Sequence, residues 1–137
     1  SSSKNKKKIT MNKKILLIIR IGIALILIQT LYFKFTAHPD SVYIFSQVGL
    51  EPIGRIGIGV LELISAILIL FPKTIWAGAL LTFGIISGAI IMHLTQIGIE
   101  VHSDGGKLFY LALIVFLLAS ITLYDQRRNI PVLGAKL

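Results

Sequence analysis

The chain has 137 residues, of which 55% are hydrophobic and only 15% charged, and its mean hydropathy is +0.84. So small a charged fraction cannot cover a water-exposed domain of this size, so composition excludes an ordinary soluble globule and points to a membrane protein. Cysteine is absent, which excludes disulfides, thiolate metal sites and thiol–disulfide exchange by this chain.

The formal net charge of +8 is concentrated at the two ends. Lys4, Lys6, Lys7, Lys8, Lys13 and Lys14 crowd the first, and Arg127, Arg128 and Lys136 the second. Basic flanks around apolar spans act as topology signals or contacts to anionic lipid. No aromatic interleaving or motif supports nucleic acid as a partner, so the bilayer is the expected one.

Residues 1–14 read as a basic, disordered tail. Residues 15–124 form the membrane domain, and 125–137 a second basic tail. Within the domain four apolar runs of about 16 to 23 residues approach the ~20 that a helix needs to cross the hydrocarbon core. They are residues 15–35, 56–71, 75–97 and 108–124. Backbone polar groups facing lipid must be satisfied within the segment, so runs of this length are helices. The expected fold is all-α: a four-helix transmembrane bundle. The first run is too long for a signal h-region and lacks a small-residue cleavage site, so it reads as a retained anchor.

Loop charges set the expected orientation. Lysine and arginine gather at the N-terminus, at Lys73 and at the C-terminus, whereas Asp40, Glu51, Glu100 and Asp104 fall in the alternate loops. That asymmetry places both termini in the cytoplasm. The stretch HPDSVYIFSQVGLEP reads as a short interfacial helix on the outer side, capped by Asp40 or Ser41 and stopped at Gly49. FPKT makes a tight hairpin between the second and third spans, with Pro72 ending the former. In SDGGK, Ser103 or Asp104 starts the fourth helix.

Glu62 interrupts RIGIGVLELISAILILF, about 10–14 Å from either end of its helix. An unpaired charge at that depth costs about 2.5–3.5 kcal/mol. Arg20 lies about 8 Å into the antiparallel first helix, so an Arg20–Glu62 ion pair is one expected solution. Lys34 and His93 reach the same depth, about 28 and 27 Å along their helices. Gln96, three residues after His93, shares its face. These residues outline an outward-facing polar pocket of Lys34, His93 and Gln96, with Glu62 beneath. Gly84 and Gly88 form a G-x-x-x-G pair, expected to mark close helix packing within the chain or in a homo-oligomer.

Each residue has a plainer alternative. Glu62 either fixes helix packing or relays a proton or contacts a ligand. Lys34 either snorkels to the interface or points into the pocket. His93 is either a satisfied interior histidine or a proton carrier, quinone contact or haem ligand. Bis-histidine haem would need a second intramembrane histidine, which the chain lacks. His38, His93 and His102 match no metal-binding spacing. No nucleotide loop, nucleophile elbow or zincin helix is present.

Three segments carry a resemblance: RIGIALILIQTLYFKF, GRIGIGVLELISAILILFPK and GAIIMHLTQIGIEVHSDGG. Their arginine-opened first helix closing on lysine, second-helix glutamate and late third-helix histidine resemble the DoxX/DoxX-like family of small four-helix membrane proteins. The resemblance spans residues 15–128. It implies Lys34, Glu62 and His93 as site residues, with Arg20 as a structural partner. The family name comes from a subunit linked to quinol oxidase and thiosulfate:quinone oxidoreductase systems, and relatives include accessory and chaperone-like factors. A branch tied to disulfide chemistry is disfavoured here by the absence of cysteine. The resemblance therefore implies either a redox-associated subunit binding a quinone or another small apolar ligand, or a non-catalytic accessory that binds a partner protein's transmembrane helices.

Overall fold

The computed structural model describes residues 12–131 and Gly134. Of the basic tails, residues 1–11 and Lys136 lie outside the described part. Four long helices carry the fold: α1 (Lys13–Phe35), α3 (Ile53–Leu70), α4 (Ile75–Met92) and α5 (Lys107–Asp125). A short helix, α2 (Pro39–Gln47), follows α1. One π-helical turn, His93–Ile97, extends α4. Each long helix is long and apolar enough to cross a membrane. Their outward faces carry exposed apolar side chains such as Ile18, Leu25, Ile91 and Leu117, as lipid contact requires.

Local chemistry explains where the helices start and stop. Asn12 accepts the Lys14 N–H and opens α1. Phe71 turns extended before Pro72, closing α3. The start of α2 differs from the expected Asp40 or Ser41 cap. His38 caps it, its Nδ1 accepting the Asp40 N–H at 3.1 Å. The reason is Pro39, whose fixed φ suits the first helical position and moves the start upstream. Gly49, at φ +74°, reverses the chain after α2.

The long helices are antiparallel neighbours in the order α1, α3, α4, α5. The ring closes through a sparser contact between α5 and α1. Ile23, Ala24 and Leu27 of α1 meet Ala66 and Ile69 of α3, Ala79 and Ile86 of α4, and Ala112 and Val115 of α5 in one apolar core. The end of the bundle holding the Pro72–Thr74 turn is called the hairpin end below, and the opposite one the α2 end.

Among the described residues, glycines mark two close approaches between long helices, and they are not the expected pair. A Cβ on Gly78 would lie 2.5 Å from the Ile69 backbone nitrogen, and one on Gly59 would lie 2.7 Å from the Phe35 ring. A Cβ on Gly84 or Gly88 would meet nothing within 4 Å. The G-x-x-x-G pair therefore does not bring helices together in this chain. The α3–α4 hairpin is tight at Gly78, near its turn, and α4 leaves open space two to three turns further on.

Candidate functional site

The open space is a cavity of about 540 Å³ in the α2 half of the bundle, with walls from all five helices. The core residues Leu27, Ile86, Ala112 and Val115 reach its lining. Most of the wall is aliphatic, and the chemistry comes from a few polar groups.

Glu62 is the deepest of these, 2% exposed. Its partner is Lys34, whose Nζ lies 2.6 Å from Oε1. The ammonium approaches off the ideal hydrogen-bond direction, leaving Oε1 without a formal hydrogen bond, so the contact is an ion pair. The Thr30 hydroxyl serves the other oxygen, Oε2, and the Leu27 carbonyl 2.9 Å away competes for the same proton. Lys34 is held in place by its own backbone. Its carbonyl accepts from Arg55 Nη1, and Arg55 Nε in turn contacts both oxygens of Glu51, at 2.8 and 3.0 Å. This buried arginine clamps the end of α1 to the start of α3.

The expected Arg20–Glu62 pair does not form. Arg20 Nε and Nη2 donate to the carbonyls of Ile69 and Leu70, at 2.9 and 3.0 Å. These are end carbonyls of α3, which have no partner within the helix and favour a cation. The antiparallel register sets Arg20 level with them, seven residues or about 10 Å from Glu62. The same register sets Thr30 and Lys34 within reach of it. Of the two cations on that face of α1, the one at the α2 end takes the carboxylate.

His93 also lines the cavity and is 5% exposed. Its Nδ1 lies 2.9 Å from the Gly98 carbonyl. A carbonyl only accepts, so Nδ1 carries the hydrogen, and in the neutral ring Nε2 is an acceptor. Nε2 has no hydrogen-bond partner among the described residues. The Phe109 ring, 5.6 Å away between centroids, packs against the imidazole. The π-turn makes this possible. The Gly98 N–H bonds the His93 carbonyl across five residues, and Gly98 leaves at φ +88°. The turn also removes Gln96 from the site. A π-turn rotates less per residue than an α-helix, so Gln96 swings off the His93 face. It is exposed and does not line the cavity.

At the α2 end, Ile97 and Val101 from the α4–α5 loop and Phe45 from α2 are buried. His102 Nδ1 lies 2.5 Å from Asp40 Oδ1, tying loop to helix, and the Tyr43 ring lies 4.7 Å from the His102 ring. Asp104 organises the turn into α5. Its Oδ1 accepts the Val101 and Gly106 N–H groups at 3.1 and 2.8 Å. Partial burial acts to raise its pKa, but the N–H groups of Val101, Gly106, Leu108 and Lys107 outweigh that and hold the carboxyl below its ordinary value. A lowered pKa contributes stability above the ordinary carboxylate range, and that contribution is lost as the pH falls through it. Amide exchange at Val101 and Gly106, followed from about pH 6 to about pH 3, is expected to show acid-induced opening of this turn. Asp104→Asn removes the acid dependence. Opening of identical pH profile in both proteins would contradict the assignment.

Sequence reasoning passed over Thr30 as a site residue. The available signal was its position four residues before Lys34, on the same helical face. Sequence reasoning did bring forward Lys34, Glu62 and His93, and the structure places all three on one cavity.

No curated protein and no solved structure matches the chain. The family comparison does find a match, to the model of the DoxX-like family. The match runs from residue 18 to residue 121, most of the chain, and the protein belongs to the DoxX-like family.

Proposed function

We propose that the cavity binds a neutral, lipid-soluble molecule of the quinone/quinol class, and that the chain is a redox-associated subunit of the bacterial inner membrane with both termini cytoplasmic. The observation that carries this reading is the Lys34–Glu62 ion pair in the cavity wall beside the free Nε2 of His93. The pair neutralises itself, so an anionic ligand meets no free cation and a cationic one no free anion. A neutral head with oxygen atoms fits.

The tautomer refines the match. Lys34 is a donor, whereas Nε2 of the neutral His93 ring is an acceptor. A quinol hydroxyl satisfies both, donating to His93 and accepting from Lys34. A quinone carbonyl satisfies only Lys34. Glu62, on the same cavity, is the group proposed to take a proton from a ligand hydroxyl. Lysine and arginine at the hairpin end support the cytoplasmic placement of the termini. Membrane-protein partners and a homo-oligomer fit the lipid-facing helices equally well, and the accessory role remains the competing reading.

Titration of the purified protein in detergent with decyl-benzoquinol and decyl-benzoquinone tests the proposal. Saturable binding is expected, tighter for the quinol. His93→Ala is expected to weaken the quinol by about tenfold, the value of one hydrogen bond, and to leave the quinone nearly unchanged. Absence of saturable binding would overturn the proposal and favour the accessory role, with the polar residues serving packing alone.

A further inference from the structure

A shallow apolar groove runs along the outside of α3 and α4, lined by Ile58, Leu68, Trp76, Leu80, Gly84 and Ile85 among others. Ile58, Gly84 and Ile85 line the cavity as well. Cavity and groove therefore share part of one wall, and these three residues form the sill between them. Gly84 sits on that sill, exposed, with open space where a side chain would be.

The groove runs from Gly84 to Trp76, eight residues along α4, or about 12 Å. No residue lining it carries a charge or a side-chain hydrogen-bonding group apart from the Trp76 indole. At its far end the α3–α4 hairpin closes against Gly78 and Ile69. At its near end lies the cavity, with Glu62 and His93, each at least nine-tenths buried, in its lining. The polar and apolar parts of the site are thus arranged in series.

We infer that the ligand is a polar head carrying a long apolar chain, with the head in the cavity and the chain leaving over Gly84 to lie in the α3–α4 groove toward Trp76. This rests on the ligand-binding reading above and adds a second subsite to it. Glycine at position 84 is explained by the passage: any side chain there would stand in the chain's path. The occupant is the ligand's own chain because the groove adjoins the cavity across Gly84, where a Cβ would meet nothing within 4 Å; a bilayer lipid resting there independently is the competing outcome.

Trp76 is the only tryptophan, so its fluorescence reports on the far end of the groove. The first test uses a decyl alcohol brominated at its chain end, titrated into the full-length protein in detergent. Saturable quenching of Trp76 is expected, and Gly84→Phe is expected to abolish the saturable part. Quenching that never saturates and is identical in both proteins shows only contact with bulk apolar solvent, and overturns the inference. The second test compares chainless benzoquinol with decyl-benzoquinol. The wild type is expected to favour the chain-bearing form by at least about tenfold, from methylene burial. Leu80→Ser, in the groove and outside the cavity lining, reduces that preference while chainless binding persists, which also shows that the variant is folded. Equal loss of both forms would overturn the two-part site. The two readings fail separately. Saturable, Gly84-dependent quenching without any benzoquinol binding would keep the chain subsite and end the quinol proposal. Benzoquinol binding without such quenching would do the reverse.

Discussion

Lys34→Met lowers the stability of the bundle by about 3–5 kcal/mol, the cost of removing one partner from a buried ion pair. Glu62 is 3% exposed at its side chain, so after the substitution its charge is left buried with only the Thr30 hydroxyl beside it. The reciprocal change is milder. With Glu62→Gln, Lys34 keeps a side chain 17% exposed near the end of α1, and a lysine stem that long can carry its ammonium to the interface. The double variant Lys34→Met/Glu62→Gln recovers most of the loss, because no charge is then left in the core. Unfolding in mixed micelles by added denaturing detergent measures all three. Simple additivity in the double variant would show that the two groups are not coupled in the folded state.

Gly78→Val is the second large effect. The added side chain begins 2.5 Å from the Ile69 nitrogen and 2.8 Å from its Cα. Both are backbone atoms in the last turn of α3 and cannot rotate aside. The connection is only the Pro72–Thr74 turn, so relief requires α3 and α4 to separate where Ala66, Ile69, Ile75 and Ala79 form the core. The loss is expected at or above the upper end of the ordinary overpacking range of about 1–3 kcal/mol. Gly88→Ala supplies the contrast. Its methyl meets open space, and alanine is the better helix former by about 0.5–1 kcal/mol, so the variant is expected to be as stable as the parent or more so. Thermal inactivation of the two variants side by side checks the assignment. Similar losses in both would mean that the glycines have been given the wrong roles.

These two predictions also separate what is local in this protein from what is not. The four long helices were legible in the sequence because the requirement behind them is local: a lipid-facing segment must satisfy its own backbone, and a run of apolar residues of the right length does so. The anomaly of Glu62 was legible for the same reason, since a carboxylate in such a run needs a partner wherever the fold puts it. The depth of Lys34 and His93 followed from helical rise alone. The choice of partner did not. Arg20 and Lys34 lie on one face of α1, and nothing within that helix says which of them meets Glu62. Only the antiparallel register with α3 sets Arg20 on the end carbonyls of Ile69 and Leu70 and brings Lys34 to the carboxylate.

The glycines and Gln96 show the same limit. Gly78, Gly84 and Gly88 are equivalent as residue types, and the spacing of the last two matches a packing motif. Whether a missing side chain admits a neighbour or leaves a void depends on how far two helices have diverged at that level, which is a property of the pair. Gln96 shares a face with His93 only while the helix stays α-helical, and the π-turn closed by the His93–Gly98 bonds ends that. By itself, then, the sequence determined the membrane solvent, the helices and the need for an interior polar site. Tertiary structure decided which cation answers Glu62, which nitrogen of His93 is free, and where the cavity opens, because each of these depends on the relative placement of segments that the chain's local chemistry leaves undetermined.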